Sequence, residues 1–183
     1  MSAIAIQEIY IALLGRAADK AGLDYWTNEV AEGTLTLDQI RANIVNEQPE
    51  WATLTATETR AETITRLYDN LFGRTPDANG FAYWLDPANG SLDDLPRALT
   101  TPAALSAADS AVLSNKSTAA QYFTENMEEV DAEDADAFAT YLERAEAAVS
   151  DVTDADSLNA SKDAVDAIAS PETFVALAER YTT

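Results

Sequence analysis

The chain of 183 residues contains no cysteine and no histidine. Without cysteine there are no disulfides. Without either residue there is no zinc site of the Cys/His kind, and neither Ser-His-Asp nor Cys-His catalysis can operate. Basic residues are few, 11 Lys and Arg against 32 Asp and Glu, which leaves a net charge of −21. That excess would repel a phosphate backbone, so nucleic acid is excluded as a partner, and it disfavours an anionic lipid surface. It suits solubility in salt and the attraction of divalent cations. No run is long enough for a membrane span. The amino end, MSAIAIQEIYIALLGR, carries Glu8 and has no basic leading region, so it does not read as a signal peptide. Period-two alternation is missing too. With 47% apolar and 8% aromatic residues a packed core is expected, and the helical spacing makes the expected class all-α.

What the chain does contain is a duplication. GRAADKAGLDYW, from Gly15 to Trp26, returns as GRTPDANGFAYW, from Gly73 to Trp84, at a constant spacing of 58 residues. Tyr10 matches Tyr68, Arg16 matches Arg74, Asp19 matches Asp77, Gly22 matches Gly80, and Tyr25 matches Tyr83. Such self-similarity marks a repeated supersecondary unit. Each copy predicts helix, tight loop, helix. In the first, Ile6, Ile9, Tyr10, Leu13 and Leu14 recur at helical spacing, Gly15 is the C-terminal stop, and Asp19 is the N-cap of the next helix. Leu23, Trp26 and Val30 form its buried stripe, and Gly33 ends it. Thr36 opens a third helix with Gln39 in a capping box, and Leu37, Ile40 and Ile44 make its apolar face. In the second copy Ile64, Leu67, Tyr68, Leu71 and Phe72 form the stripe, Gly73 the stop and Asp77 the cap. Phe81 and Trp84 are expected to be buried, Pro87 and Gly90 end that helix, and Leu92, Leu95 and Leu99 continue into a short one.

From about Pro102 the text turns Ala-rich with acidic interruptions. Ala111, Val112, Lys116, Ala119, Phe123 and Met127 are expected in helices, and Phe138, Leu142, Ala145 and Val149 share one stripe. A turn is expected over Asp151 to Asp156, with Val165, Ile168 and Ala169 in the helix beyond. Ser170 and Pro171 open a last helix, with Phe174, Leu177 and Tyr181 facing inward. The expected organisation is a duplicated helical region over 1–101, with units 1–50 and 58–101, and a helical half over 102–183 packed on it.

Two readings of the doubled phrase compete. In one, Arg16, Asp19, Tyr25 and Trp26 form a binding site in the first unit and Arg74, Asp77, Tyr83 and Trp84 one in the second, with Tyr25 and Tyr83 lying off the buried stripes. In the other, every letter is structural: Gly15, Gly22, Gly73 and Gly80 serve the backbone, Asp19 and Asp77 cap, Trp26 and Trp84 fill the core, and each arginine meets a carboxylate or a helix-end carbonyl. Trp51 is a further binding candidate, set against a role as a plug between the units. For calcium, the stretch DAEDADAFATYL from Asp131 fails the EF-hand pattern, because places six and twelve hold Asp136 and Leu142. DVTDAD from Asp151 is equally explained by capping. With so many acids, a carboxylate pair for glycoside hydrolysis carries no signal. The sequons at Asn89, Asn115 and Asn159 are expected by chance. No catalytic residue is assigned, and no cofactor beyond calcium is entertained.

The phrase LLGRxxDxxGLxYW, its duplicate and the later LSNKSTAAQYFTENM together resemble a bacterial helical family. That family is found at the amino ends of large extracellular proteins, including hemolysin-type (RTX) calcium-binding proteins, and in S-layer proteins. The twelve-residue phrase also resembles one in phycobilisome linker proteins. The resemblance spans roughly residues 4–130. It implies an extracellular or cell-surface module exported by type I secretion without an N-terminal signal, and a role in anchoring to lipopolysaccharide sugars. The family's glycine- and aspartate-rich calcium repeats normally lie downstream, and this chain contains none. The expected function is therefore a non-enzymatic surface, adhesin or biofilm-matrix module that binds glycan or self-associates, without membrane insertion. The alternatives are a linker-like protein–protein scaffold and an accessory domain of a secreted enzyme.

Overall fold

A computed structural model describes residues 2–101, 104–128 and 130–169. The helix expected from Ser170 to Tyr181 lies outside the described residues. The protein is all-α, and no strand occurs among the described residues. The helices are α1 (Ser2–Leu14), α2 (Lys20–Ala31), α3 (Leu37–Glu47), α4 (Pro49–Thr55), α5 (Arg60–Phe72), α6 (Ala78–Leu85), α7 (Asp94–Leu99), α8 (Ala107–Asn126), α9 (Ala135–Ser150) and α10 (Ala155–Ala169). A 3-10 turn, Pro87–Asn89, separates α6 from α7.

The helix α1 is the hub. Its apolar residues occupy every side, and a helix of that kind belongs in an interior. Ile6, Gln7 and every residue from Ile9 to Leu13 are buried. Around it pack α2, α3, α4, α5, α7 and α8. Two hydrophobic clusters result, and α1 serves both. The first holds Ile6, Ile9, Leu13, Trp26, Ile40, Ile44, Trp51, Ile64, Leu67 and Leu71. The second gathers Ile11, Ala17, Phe123, Tyr141, Ala145, Val149 and Val165. In α9 it is Tyr141 that is buried, while Leu142 is half-buried: the inward stripe runs through Tyr141, Ala145, Ala148 and Val149.

The helix α8 packs against α1, α5, α9 and α10, burying Leu113 and Phe123 among small and polar residues. Lys116 is fully buried there and donates from Nζ to the Ser150 carbonyl at 3.1 Å. Ser150 is the last residue of α9, so the ammonium meets the negative end of that helix. Burial pushes the lysine's pKa down, while Asp69 and Asp151 pull it up. A buried network ties α1 to α8: Gln7 donates to Thr124 Oγ1 at 2.8 Å, Thr124 donates to the Ala18 carbonyl at 2.7 Å, and Ala18 N–H donates back to Gln7 Oε1 at 2.9 Å.

The two copies are therefore not equally covered. The loop of the first copy is sealed under α8 and α9: Ala17 and Ala18 are fully buried, and Ala17 N–H donates to the Ala145 carbonyl. In the second copy the same positions hold Thr75, exposed, and Pro76, half-buried. Small residues stand where the loop is packed, and larger ones where it is open. The expectation that Phe81 and Trp84 are buried is corrected for the same reason. Both are half-buried, and α6 has no fully buried residue. In the first copy the eleven-residue α3 contributes Ile40 and Ile44 to the core beside Leu23 and Trp26. Its counterpart α7 has six residues and leaves α6 at the edge.

Candidate functional site

The corner between α1 and α2 is fixed atom by atom. Gly15 adopts φ 71°, a left-handed conformation that glycine takes without a Cβ penalty, and stops α1. The Asp19 carboxylate accepts from Gly22 N–H at 2.8 Å and caps α2. Tyr10 reaches up from α1 so that its hydroxyl lies over this first turn, where it accepts from Trp26 Nε1 at 3.0 Å. A Cβ at Gly22 would lie 2.7 Å from that hydroxyl, so the position demands glycine. Burial, aided by the Asp19 charge, pushes the Tyr10 phenol up to about 12.

Arg16 closes the corner from beneath. It is 6% exposed and its guanidinium lies over the Tyr10 ring, 5.2 Å from the centroid. Its Nε and Nη2 donate to the two oxygens of Glu50 at 2.7 Å each, and Nη1 donates to the Ala17 carbonyl at 2.9 Å and to Asp19 Oδ1 at 3.4 Å. Burial works to lower the arginine's pKa, but the hydrogen bond and charge of Glu50, with Asp19 behind it, carry it upward. Planar two-point pairing of this kind fixes direction as well as charge.

The second corner repeats the device. Asp77 accepts from Gly80 N–H at 3.0 Å and from Asn79 N–H at 3.1 Å, and those backbone bonds hold its carboxyl below the ordinary range. Tyr68 hydroxyl lies 2.9 Å from where a Cβ at Gly80 would stand. Arg74 donates from Nε and Nη2 to both oxygens of Asp109, at 2.8 and 2.9 Å, and from Nη1 to the Thr75 carbonyl. That pairing holds Asp109 below the ordinary carboxylate range. One link is lost: among the described residues no hydrogen bond joins Trp84 to Tyr68, whereas Trp26 and Tyr10 are joined.

Glu50 and Asp109 stand 34 and 35 residues beyond their arginines, each in the first turn of a helix. The N-caps of those helices, Gln48 and Ser106, keep the spacing of 58. The structural unit thus runs on into the opening turn of α4 in one copy and of α8 in the other. The exchange of Glu for Asp and the one-residue slip hide this partner from a sequence reading.

Beside the first corner lies a groove of about 630 Å³, lined by Tyr10, Leu14, Arg16, Asp19, Gly22, Tyr25, Trp26, Asn43, Ile44, Glu47, Gln48, Glu50 and Phe138. It brings together the predicted Arg16, Asp19, Gly22, Tyr25 and Trp26. Tyr25 is 53% exposed and packs edge-on against Trp26, with centroids 4.7 Å apart. The expected Arg74, Asp77, Gly80, Tyr83 and Trp84 form the separate second corner, where Tyr83 is also 53% exposed. Trp51 as a binding aromatic is corrected: it is 5% exposed, in the first core, with the Arg66 guanidinium 5.2 Å above its ring. Asn43, Glu47 and Gln48 join the groove without a signal in the sequence, and Phe138, expected only in the apolar stripe of its own helix, reaches it by packing, since nothing in their spacing links them to the repeat.

Among the described residues, no three Asp or Glu gather closely enough to hold a metal ion. Asp131 accepts from Glu133 N–H and shapes a turn, and Asp154 caps α10 through Ser157 N–H. Among the described residues no helix is long and apolar enough to cross a membrane.

Residues 5–48 match the family model of a domain of unknown function (DUF4214). The match runs from the first turn of α1 to the N-cap of α4, and so takes in the first corner and most of the groove wall. No curated protein and no solved structure matches the chain.

Proposed function

We propose that the chain is a non-enzymatic module of the bacterial cell surface or matrix, working outside the cell, which holds a surface glycan in the groove beside the first corner. The observation that carries this reading is Tyr25. Its half-exposed ring stands at a groove of small-ligand size, among amides and carboxylates, on a floor fixed by the capped and clamped corner. Exposed aromatic rings stack on apolar faces, and a preformed site lowers the ordering cost of binding. The groove carboxylates Asp19 and Glu50 are already engaged by Gly22 and Arg16, which supports holding a ligand over transferring protons.

The test is NMR titration of the intact chain with soluble lipopolysaccharide and with a neutral polysaccharide, each with and without a calcium chelator. Shifts clustered on α2 and α3, and lost in Tyr25→Ala, support the reading. No shift with either glycan in either condition contradicts it. Loss of lipopolysaccharide binding on chelation alone would mark bridging cations between the acidic surface and the glycan.

A second reading, a linker-like scaffold that seats another protein or another copy of the chain, has its own support in α6. Tyr83 and Leu85 are exposed there and Phe81 and Trp84 half-buried, an apolar helix without full cover. Concentration-dependent sedimentation abolished by Leu85→Glu would favour it.

A further inference from the structure

The duplication provides an internal comparison that separates scaffold from site. Positions that build the corner are the same in both copies: the Tyr hydroxyl over a Gly, the Asp cap, the Arg with its carboxylate. The wall facing Tyr25 is not the same. Asn43, Glu47 and Gln48 of the first copy correspond, 58 residues on, to Thr101, Leu105 and Ser106. Leu105 packs against the core and Ser106 caps α8. The groove wall is thus a property of the first copy, imposed by nothing in the shared corner.

That wall has a definite charge. The groove contains one cation, Arg16, and three carboxylates, Asp19, Glu47 and Glu50, a net −2. Asp19 and Glu50 are committed to the corner. Glu47 is exposed and makes no hydrogen bond or ion pair among the described residues. It is a carboxylate with no structural task, in a groove with an open aromatic ring. The amides of Asn43 and Gln48, joined by a bond from Gln48 Nε2 to Asn43 Oδ1 at 3.4 Å, line the same groove, and Arg16 makes four hydrogen bonds from five N–H groups, which leaves one donor among the described residues. A ring face stacks on a sugar or receives an ammonium, amides pair with hydroxyls, and a net negative groove favours a positive charge.

We infer that this groove takes an amine-bearing saccharide, one with a free protonated amino group, with the amine set against Glu47 and the ring against Tyr25. The inference rests on the glycan reading and narrows it: phosphate-rich sugars are repelled by the groove itself, and fully N-acetylated sugars forfeit the charge.

The experiment is calorimetric titration of the intact chain with a glucosamine trisaccharide, its fully N-acetylated counterpart and trilysine, at mildly acidic pH where the sugar amine is protonated. The expected result is binding of the free-amine sugar at least tenfold tighter than of the acetylated one, weakened by added salt. Glu47→Gln, on an exposed side chain with no internal bonds, should weaken it about fivefold, the loss of one unit charge at a partly solvated site, with unchanged circular dichroism. Equal binding of both sugars would overturn the amine while leaving the glycan reading intact. No binding of either sugar would overturn the amine-sugar inference, and the titration with lipopolysaccharide and neutral polysaccharide then decides the glycan reading separately. Trilysine binding as tightly as the free-amine sugar would overturn the saccharide and assign the groove to basic protein side chains.

Discussion

Replacing Gly22 by alanine should destabilise the protein, although alanine is the better helix former. In a solvent-facing helix that exchange gains up to about 1 kcal/mol. Here the new Cβ would stand 2.7 Å from the Tyr10 hydroxyl and 2.9 Å from Asp19 Oδ2. Neither neighbour is free to yield. Tyr10 is 6% exposed and holds Trp26, and Asp19 caps the helix through Gly22 itself. Strain from overpacking a tight site runs to about 2 kcal/mol, and loosening either hydrogen bond adds about 1 kcal/mol. After subtracting the propensity gain, the net cost is about 2 kcal/mol. In a chain of this length that lowers Tm by about 4–8 °C. Urea unfolding followed by tryptophan fluorescence reads the change directly. Gly80→Ala should cost about half as much, since its Cβ would meet Tyr68 at 2.9 Å and the exposed Asp77 at 3.1 Å, without an indole bond to lose. A Gly22→Ala protein as stable as the parent, or more so, would mean that the Tyr10 hydroxyl and the Asp19 cap leave room for a Cβ.

The loops give a paired prediction. Ala18→Pro, which installs the residue of the second copy, removes the N–H that donates to buried Gln7 and should cost about 2 kcal/mol or more, whereas Pro76→Ala should stay within about 1 kcal/mol; thermal denaturation of both variants checks it. The Tyr10 phenol gives a pH signature. Its folded pKa is raised from 10 to about 12, so its contribution is complete below pH 10 and is lost as pH rises toward 12. That loss amounts to about 3 kcal/mol, and Tyr10→Phe should flatten the stability profile in that window, as measured by urea unfolding at stepped alkaline pH.

Much of the fold could be read from residue order because its signals are local. The stops at Gly15 and Gly73, the caps Asp19, Thr36 and Asp77, and the stripe from Ile64 to Phe72 each depend on neighbours within one helical turn. What stayed hidden depends on partners far along the chain. Glu50 and Asp109 look like any other acid until Arg16 and Arg74 reach them. The half-exposure of Trp84 follows from the shortness of α7, and its letters cannot be told from those of buried Trp26. Helix α4 leaves no trace in the sequence, because its seven residues, Pro49 first among them, hold too little periodicity to register. Of the groove, the corner residues were legible through the duplication. Phe138 and Glu47 were not, because they arrive from α9 and α3 by packing, and no repeat links them to the phrase.

In the first copy the doubled phrase is a capped corner, with Trp26 sunk in it and bonded to Tyr10. Hydrogen exchange of the three indole N–H groups, followed by NMR, tests it most directly. Trp26 should exchange slowly, near the limit set by global unfolding, while half-buried Trp84 exchanges fast. Rapid exchange at Trp26, matching Trp84, would contradict it and make the motif a working surface.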